Sequence, residues 1–214
     1  MQFQKQLLGA QEHLAANDPV IGGLIIRYGN CQIRPHTDYY SELVTSIVGQ
    51  QLSIKAAAAI WQRVVVLAGG HPPTPKQLIN ASFEDLRAAG LSGPKISYVK
   101  DLAARIEDGS LEIDNIASLP NQEIIDQLTA VKGIGEWSAH MFMIFGLGRL
   151  DVLPVGDLGI RKAASALYKL PTLASKEDLE AIARSNGWQP YRSIASWYLW
   201  KSLENTGIRM NNDT

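Results

Sequence analysis

The stretch Val131-Lys132-Gly133-Ile134-Gly135, preceded by Leu128 and followed by Glu136-Trp137-Ser138-Ala139, decides how this chain is read. Two glycines flanking one apolar residue allow a very short connection to turn sharply between helices. A side chain at either glycine is expected to obstruct that turn. Upstream, Asn121 is a candidate N-cap for a helix through Glu123, Ile124, Ile125 and Leu128; downstream, a second helix restarts after Gly135 and runs from Trp137 to Phe145. The pattern is helix, hairpin, helix. The second helix begins with backbone N–H groups that lack intrahelical partners, and the glycines let a phosphate come close to them. Such contacts hold a nucleic-acid backbone without reading its sequence. The same Gly-x-Gly also serves as an ordinary tight turn between helices, so the residues around it must decide.

Working outward, 214 residues with 46% hydrophobic content can bury a sizeable core, as one domain or two small lobes. No apolar run is long enough to cross a bilayer. Met1 to Gln6 is polar and lacks the basic start and apolar block of a secretory signal, so the expected compartment is the cytoplasm or nucleoid, or the nucleus in a eukaryote. Cys31 is the only cysteine, which excludes an intramolecular disulfide and a four-thiolate iron-sulfur cluster. A net charge of -1 argues against holding DNA by bulk positive charge. Any grip must be local.

The rest of the chain reads as helices separated by Pro, Gly and Asn, with no convincing alternating strand pattern. Helices are predicted near 3–16, 20–28, 38–50, 54–68, 75–80, 83–89, 94–107, 121–130, 136–146, 157–169, 175–185 and 190–204. Thr37, Ser82 and Ser175 resemble N-caps, the last followed by Asp178 in the manner of a capping box. The tail from Arg209 to Thr214 is expected to be mobile. An all-α, two-lobe architecture follows, with a central lobe over 38–149 and a second lobe built from 1–37 and 150–214. A substrate pocket is expected in the cleft between lobes.

Asp157 follows Leu153-Pro154-Val155-Gly156 and opens a helix continuing Leu158-Gly159-Ile160-Arg161. An acid in a first helical turn is stabilised by the helix dipole, and a simple cap is the commonest role for such a residue. Its place after the hairpin suggests more. The segment 128–139 followed by Asp151-Val152-Leu153-Pro154-Val155-Gly156-Asp157-Leu158 closely resembles the helix-hairpin-helix DNA glycosylase superfamily, with Asp157 at the position of that superfamily's catalytic aspartate. Ser46 to Ala57, with its Gly49-Gln50-Gln51-Leu52-Ser53 core, together with Gly90 to Lys95 and Pro190 to Trp200, resembles the 3-methyladenine DNA glycosylase II (AlkA-type) branch. The resemblance spans about residues 38 to 204 in several ordered motifs.

That resemblance implies a monofunctional DNA glycosylase of base excision repair. Such an enzyme flips an alkylated purine of the 3-methyladenine or 7-methylguanine type out of duplex DNA, hydrolyses the N-glycosidic bond and leaves an abasic site. Bifunctional relatives place an attacking lysine where this chain has Trp137, and an indole cannot form a Schiff base. Asp157 then assists water and stabilises positive charge on the sugar. Trp137 and Trp200 fall at the base pocket as faces for a cationic purine, while Trp61, Trp188 and Trp197 are expected in the core. Gln51 and Leu52 are the candidate plug for the emptied stack, although Leu52 can equally be a buried junction between helices. Lys132, Gly133, Ile134 and Gly135 would meet the DNA backbone. The carbonyls of Thr129, Val131 and Ile134 resemble positions that hold a monovalent cation, Na or K, against a phosphate. No cofactor is required for the chemistry.

Lys95, Lys100, Lys132, Arg161, Lys162 and Arg192 could add to the grip, though each alone is usually a solvated surface charge. Two departures stand out. Glu136 lies at the DNA-facing helix start, where it complements the dipole but repels phosphate, and Gly156 replaces a second aspartate common among relatives. AlkA-type enzymes larger than this chain also carry an N-terminal β domain for which 214 residues leave no room. The expected partner is double-stranded DNA containing alkylated bases, bound by a monomer away from any membrane. Two rivals are a non-catalytic helix-hairpin-helix DNA-binding module, which has no use for Asp157, and an all-α interaction protein with an incidental turn.

Overall fold

A computed structural model describes residues 2–204. The described residues form α1 (Gln2–Asn17), α2 (Pro19–Tyr28), α3 (Tyr39–Gly49), α4 (Ile54–Leu67), α5 (Pro75–Asn80), α6 (Phe83–Ala88), α7 (Gly93–Glu107), α8 (Asn121–Thr129), α9 (Glu136–Met141), α10 (Leu158–Leu167), α11 (Lys176–Ser185) and α12 (Arg192–Glu204). A 3-10 turn at Ile116–Ser118 and a π-helical turn at Phe142–Gly146 complete them. The fold is all-α, as the helical periodicity implied, and no described helix is long and apolar enough to cross a membrane. The tail expected to be mobile lies outside the described residues.

Local chemistry explains most helix starts. Ser53, Ser82 and Ser92 each accept a backbone N–H from their first turn, and Thr74 with Gln77 and Ser175 with Asp178 form reciprocal capping boxes. Two expected caps are displaced by one residue. Asp38, not Thr37, accepts from the Ser41 N–H, because a carboxylate is the stronger acceptor; Pro120, not Asn121, precedes α8 and offers no side-chain cap. The helix predicted over 136–146 is α-helical only to Met141 and then widens into the π turn, which periodicity alone does not reveal.

The described residues divide into two compact units: those up to Pro35 together with those from Met143 onward, and His36–Phe142. The boundary falls at 142/143, earlier than the 149/150 boundary read from the sequence, and places the body of the π turn in the first unit.

In the first unit α12 is the central element, packed against α1, α2 and α10. Its residues from Ser193 to Leu199 are all buried, which is the expected behaviour of a helix that is apolar or small on every face. Trp188 and Trp197 belong to this core. Asp18 is fully buried and fully engaged. One carboxylate oxygen caps α2 through the N–H groups of Val20 and Ile21, and the other accepts from Tyr168 Oη and, at 2.6 Å, from Trp188 Nε1. In the second unit α7 packs against α3, α5 and α6, burying Ile96, Val99, Leu102 and Ala103, while α8 pairs with α9. Trp61, expected in the core, is only half-buried.

Replacing Asp18 with Ala strands a buried indole N–H and a phenol hydroxyl and removes a cap. A loss of about 2–5 kcal/mol is expected in urea denaturation, against under about 0.5 kcal/mol for an exposed control such as Glu180→Ala.

Candidate active site

The hairpin is built from both ends. Leu128 and Val131 are buried, the N–H of Val131 returns to Leu128 O at 3.1 Å, and that of Ile134 returns to Val131 O at 3.2 Å. Gly133 has φ +79°, and a Cβ there would overlap the Tyr98 ring of α7, so only glycine fits. Gly135 differs from the sequence expectation. Its φ of -98° suits any residue, and a Cβ there would meet nothing within 4 Å. It leaves the start of α9 open, with no side-chain cap. Ile134 is 7% exposed, so its side chain anchors the turn and only its backbone remains to meet a ligand.

Asp101 of α7 fixes the hairpin from below. Its carboxylate accepts the Lys132 N–H at 3.0 Å, lies 3.5 Å from Lys132 Nζ and receives Arg105 Nε at 3.0 Å. Burial works against the Asp101 anion, but the Lys132 N–H and the two cations outweigh it and hold the carboxyl below its usual range. The carbonyls of Thr129 and Val131 lie at the C-terminal end of α8, where the helix dipole is negative. Val131 O already accepts the Ile134 N–H at 3.2 Å.

Between α3 and α4 runs the turn Gln50-Gln51-Leu52-Ser53. Gln51 adopts φ +56°, a left-handed conformation costly for a non-glycine residue, and is exposed. Leu52 is 38% exposed, which removes the buried-junction alternative. Gln50 Nε2 donates to Gly133 O at 2.8 Å, tying this turn to the hairpin.

In the first unit Asp157 is the N-cap of α10 and is 8% exposed. Its Oδ1 accepts the Ile160 N–H at 2.7 Å and Trp200 Nε1–H at 3.0 Å. The capping role and a chemical one are therefore compatible, since the two donors and the helix N-terminus offset the cost of burying a carboxylate. The loop leading to it is pinned to the start of α12. Arg192 grips the Asp151 carboxylate through Nε at 2.6 Å and Nη2 at 3.0 Å, Ser193 Oγ accepts the Val152 N–H at 2.9 Å, and the Ser193 N–H donates to Leu150 O at 3.0 Å. A Cβ at Gly156 would meet nothing within 4 Å, so the chain has room for the acid it lacks there.

The Trp200 ring packs on Phe145 of the π turn, centroids 5.6 Å apart and planes inclined by 35°. Trp137, on α9, is 53% exposed, an unusual state for a core tryptophan. Glu136 is exposed, 3.9 Å from Nε2 of the buried His140. Burial lowers the basicity of that imidazole more than Glu136 raises it, so at neutral pH it does not cancel the Glu136 charge. The proposed supplementary cations are mostly engaged elsewhere: Lys95 on Val48 O and Gln50 O, Lys100 on Ile79 O and Ala81 O, Arg161 on Ala174 O and Arg192 on Asp151. Single basic residues gave no sequence signal for this. Gln50, Asp101, Phe145 and the Arg192–Asp151 pair were missed, although Lys95, Tyr98, Asp101 and Arg105 do recur at helical spacing.

An all-helical scaffold that presents a glycine hairpin on one unit and a capped, indole-bonded aspartate on the other defines a class of DNA repair protein. The match to the HhH-GPD superfamily of base excision DNA repair proteins covers residues 44–189, and the chain belongs to that family. It is 36% identical over 203 residues to DNA-3-methyladenine glycosylase 1 of Schizosaccharomyces pombe, covering 92% of this chain and 87% of that protein. A crystal structure of DNA-3-methyladenine glycosidase from Bacillus halodurans is similar at TM-score 0.83 and 40% identity, over 92% of this chain and 89% of that one. The S. pombe 3-methyladenine DNA glycosylase in complex with abasic DNA is similar at TM-score 0.76 and 33% identity, over 96% and 99%.

The two hairpin glycines should separate on substitution. Gly133→Ala is expected to cost about 1–3 kcal/mol in urea denaturation through strain and overlap with Tyr98, whereas Gly135→Ala should stay within about 0.5 kcal/mol.

Proposed function

We propose that this chain is a monofunctional DNA glycosylase that removes alkylated purines from duplex DNA by hydrolysis, leaving an abasic site. The observation that carries this reading is Asp157, a buried carboxylate held by Trp200 Nε1 and the Ile160 N–H at the family's catalytic position. The DNA backbone is gripped by the hairpin from Lys132 to Gly135. The carbonyls of Thr129, Val131 and Ile134 would hold a sodium or potassium ion there, which supplies positive charge to a phosphate without reading sequence. Gln51 and Leu52 fill the space left by the extruded nucleotide.

Chemistry follows from charge. An alkylated purine such as 3-methyladenine or 7-methylguanine is cationic and leaves readily, and the faces of Trp137 and Trp200 are the candidates to attract it. As the C1′–N bond breaks, positive charge develops on the sugar and the Asp157 carboxylate stabilises it; a water then adds at C1′ and Asp157 takes its proton. Trp137 stands where bifunctional enzymes carry an amine nucleophile, so no Schiff base forms and the strand stays intact. The protein acts as a monomer wherever the genomic DNA lies, nucleoid or nucleus.

Asp157→Asn keeps the cap, since Asn caps as well as Asp, but loses the charge. On methylated duplex DNA the variant should release base at least about a hundredfold more slowly than the parent protein while melting at the same temperature. Borohydride should trap no protein–DNA adduct. Equal release by both proteins, or efficient trapping, contradicts the mechanism; salt-dependent DNA binding with no release by either supports a binding module instead.

A further inference from the structure

The exposed turn at Gln51 and Leu52 has to resist the base stack when it enters DNA, yet it contains a residue in a disfavoured left-handed conformation at φ +56°. Something must hold it. Locally, Leu52 N–H donates to Gly49 O at 3.1 Å, Gln50 N–H to Ile47 O at 3.4 Å, and Ser53 caps α4. Further restraints come from outside the turn. Lys95 Nζ donates to Val48 O at 2.8 Å and to Gln50 O at 2.7 Å, bridging the last turn of α3 and the residue beyond it. Gln50 Nε2 reaches Gly133 O at 2.8 Å, in the centre of the hairpin.

The two features share a support. Lys95, Tyr98, Asp101 and Arg105 succeed one another along α7 at intervals of three, three and four residues, which places them on one face. Lys95 holds the α3–α4 turn, the Tyr98 ring backs Gly133, and Asp101, charge-balanced by Arg105, holds the Lys132 N–H. Lys95 is therefore spent on carbonyls rather than on phosphate. Burial lowers the basicity of its amine, as expected for an ammonium drawn into such a site.

We propose that Lys95 and Gln50 are positioning residues for base extrusion: they lock the turn bearing Gln51 and Leu52 onto the hairpin, so that gripping the backbone and inserting the plug occur as one rigid event. The proposal rests on the glycosylase reading above. It assigns these residues to the flipping step, separate both from the chemistry at Asp157 and from phosphate affinity.

The test compares two substrates: a duplex carrying one 7-methylguanine opposite cytosine, and the same base unpaired in a single-nucleotide bulge, where extrusion costs little. For Lys95→Met the single-turnover release rate from the paired duplex should fall about ten- to a hundredfold, with the bulge rate within about threefold of the parent protein. Gln50→Leu should show the same split, and Lys95→Arg, which keeps N–H donors, should recover most of the paired rate. The salt dependence of DNA binding should be unchanged, whereas loss of a phosphate contact lowers the slope by about one. Equal losses on both substrates for Lys95→Met and Gln50→Leu, or a reduced salt slope, would overturn the proposal. No release by the unsubstituted protein from either substrate would overturn the glycosylase reading, and this proposal with it.

Discussion

A carboxylate taken out of water must find its hydrogen bonds inside the protein, and the architecture of the first unit answers that demand at Asp157. One oxygen receives both the Ile160 N–H, in the first turn of its own helix, and the indole N–H of Trp200. The second donor comes from α12, so the position of the acid depends on a helix forty-three residues away in sequence. The same α12 pins the preceding loop through Arg192 and Ser193, and its buried faces seat it among α1, α2 and α10. Helix packing, loop conformation and the placement of the acid are therefore one constraint rather than three.

The second unit is organised by a comparable economy on α7. Its apolar face, Ile96, Val99, Leu102 and Ala103, makes the core, and an adjacent face of Lys95, Tyr98, Asp101 and Arg105 sets the turn and the hairpin. Positive charge that a sequence reader would assign to DNA is thereby consumed within the protein. This accords with a net charge of -1, which suits the proposed grip through backbone geometry and a few groups rather than through a basic surface.

Much of this was legible in the sequence because helix boundaries carry local signals. Ser82 and Ser175 cap where their neighbours imply, Gly133 marks the turn, and Asp157 opens a helix as its place before Leu158 implies. What escaped depends on contacts between residues far apart in sequence. No local pattern tells that Gln50 bonds Gly133, that Arg192 grips Asp151 instead of a phosphate, or that Gly135 is open while Gly133 is crowded by Tyr98. Phe145 was hidden for a different reason: the π turn shifts its direction relative to an ideal helix and brings it onto Trp200. Asp38 displaced Thr37 as a cap because two adjacent acceptors compete and sequence does not weigh them.

The central claim is that the indole N–H of Trp200 holds the Asp157 carboxylate in the orientation the proposed hydrolysis requires. Trp200→Phe removes that donor and keeps an aromatic face. Single-turnover release from methylated duplex DNA, measured with protein in excess, should fall at least about tenfold for this variant. Its affinity for a duplex containing an abasic-site analogue should match that of the parent protein. Release at the parent rate would contradict the account, because the acid would then be held without the bond on which the rest of the site is argued to depend.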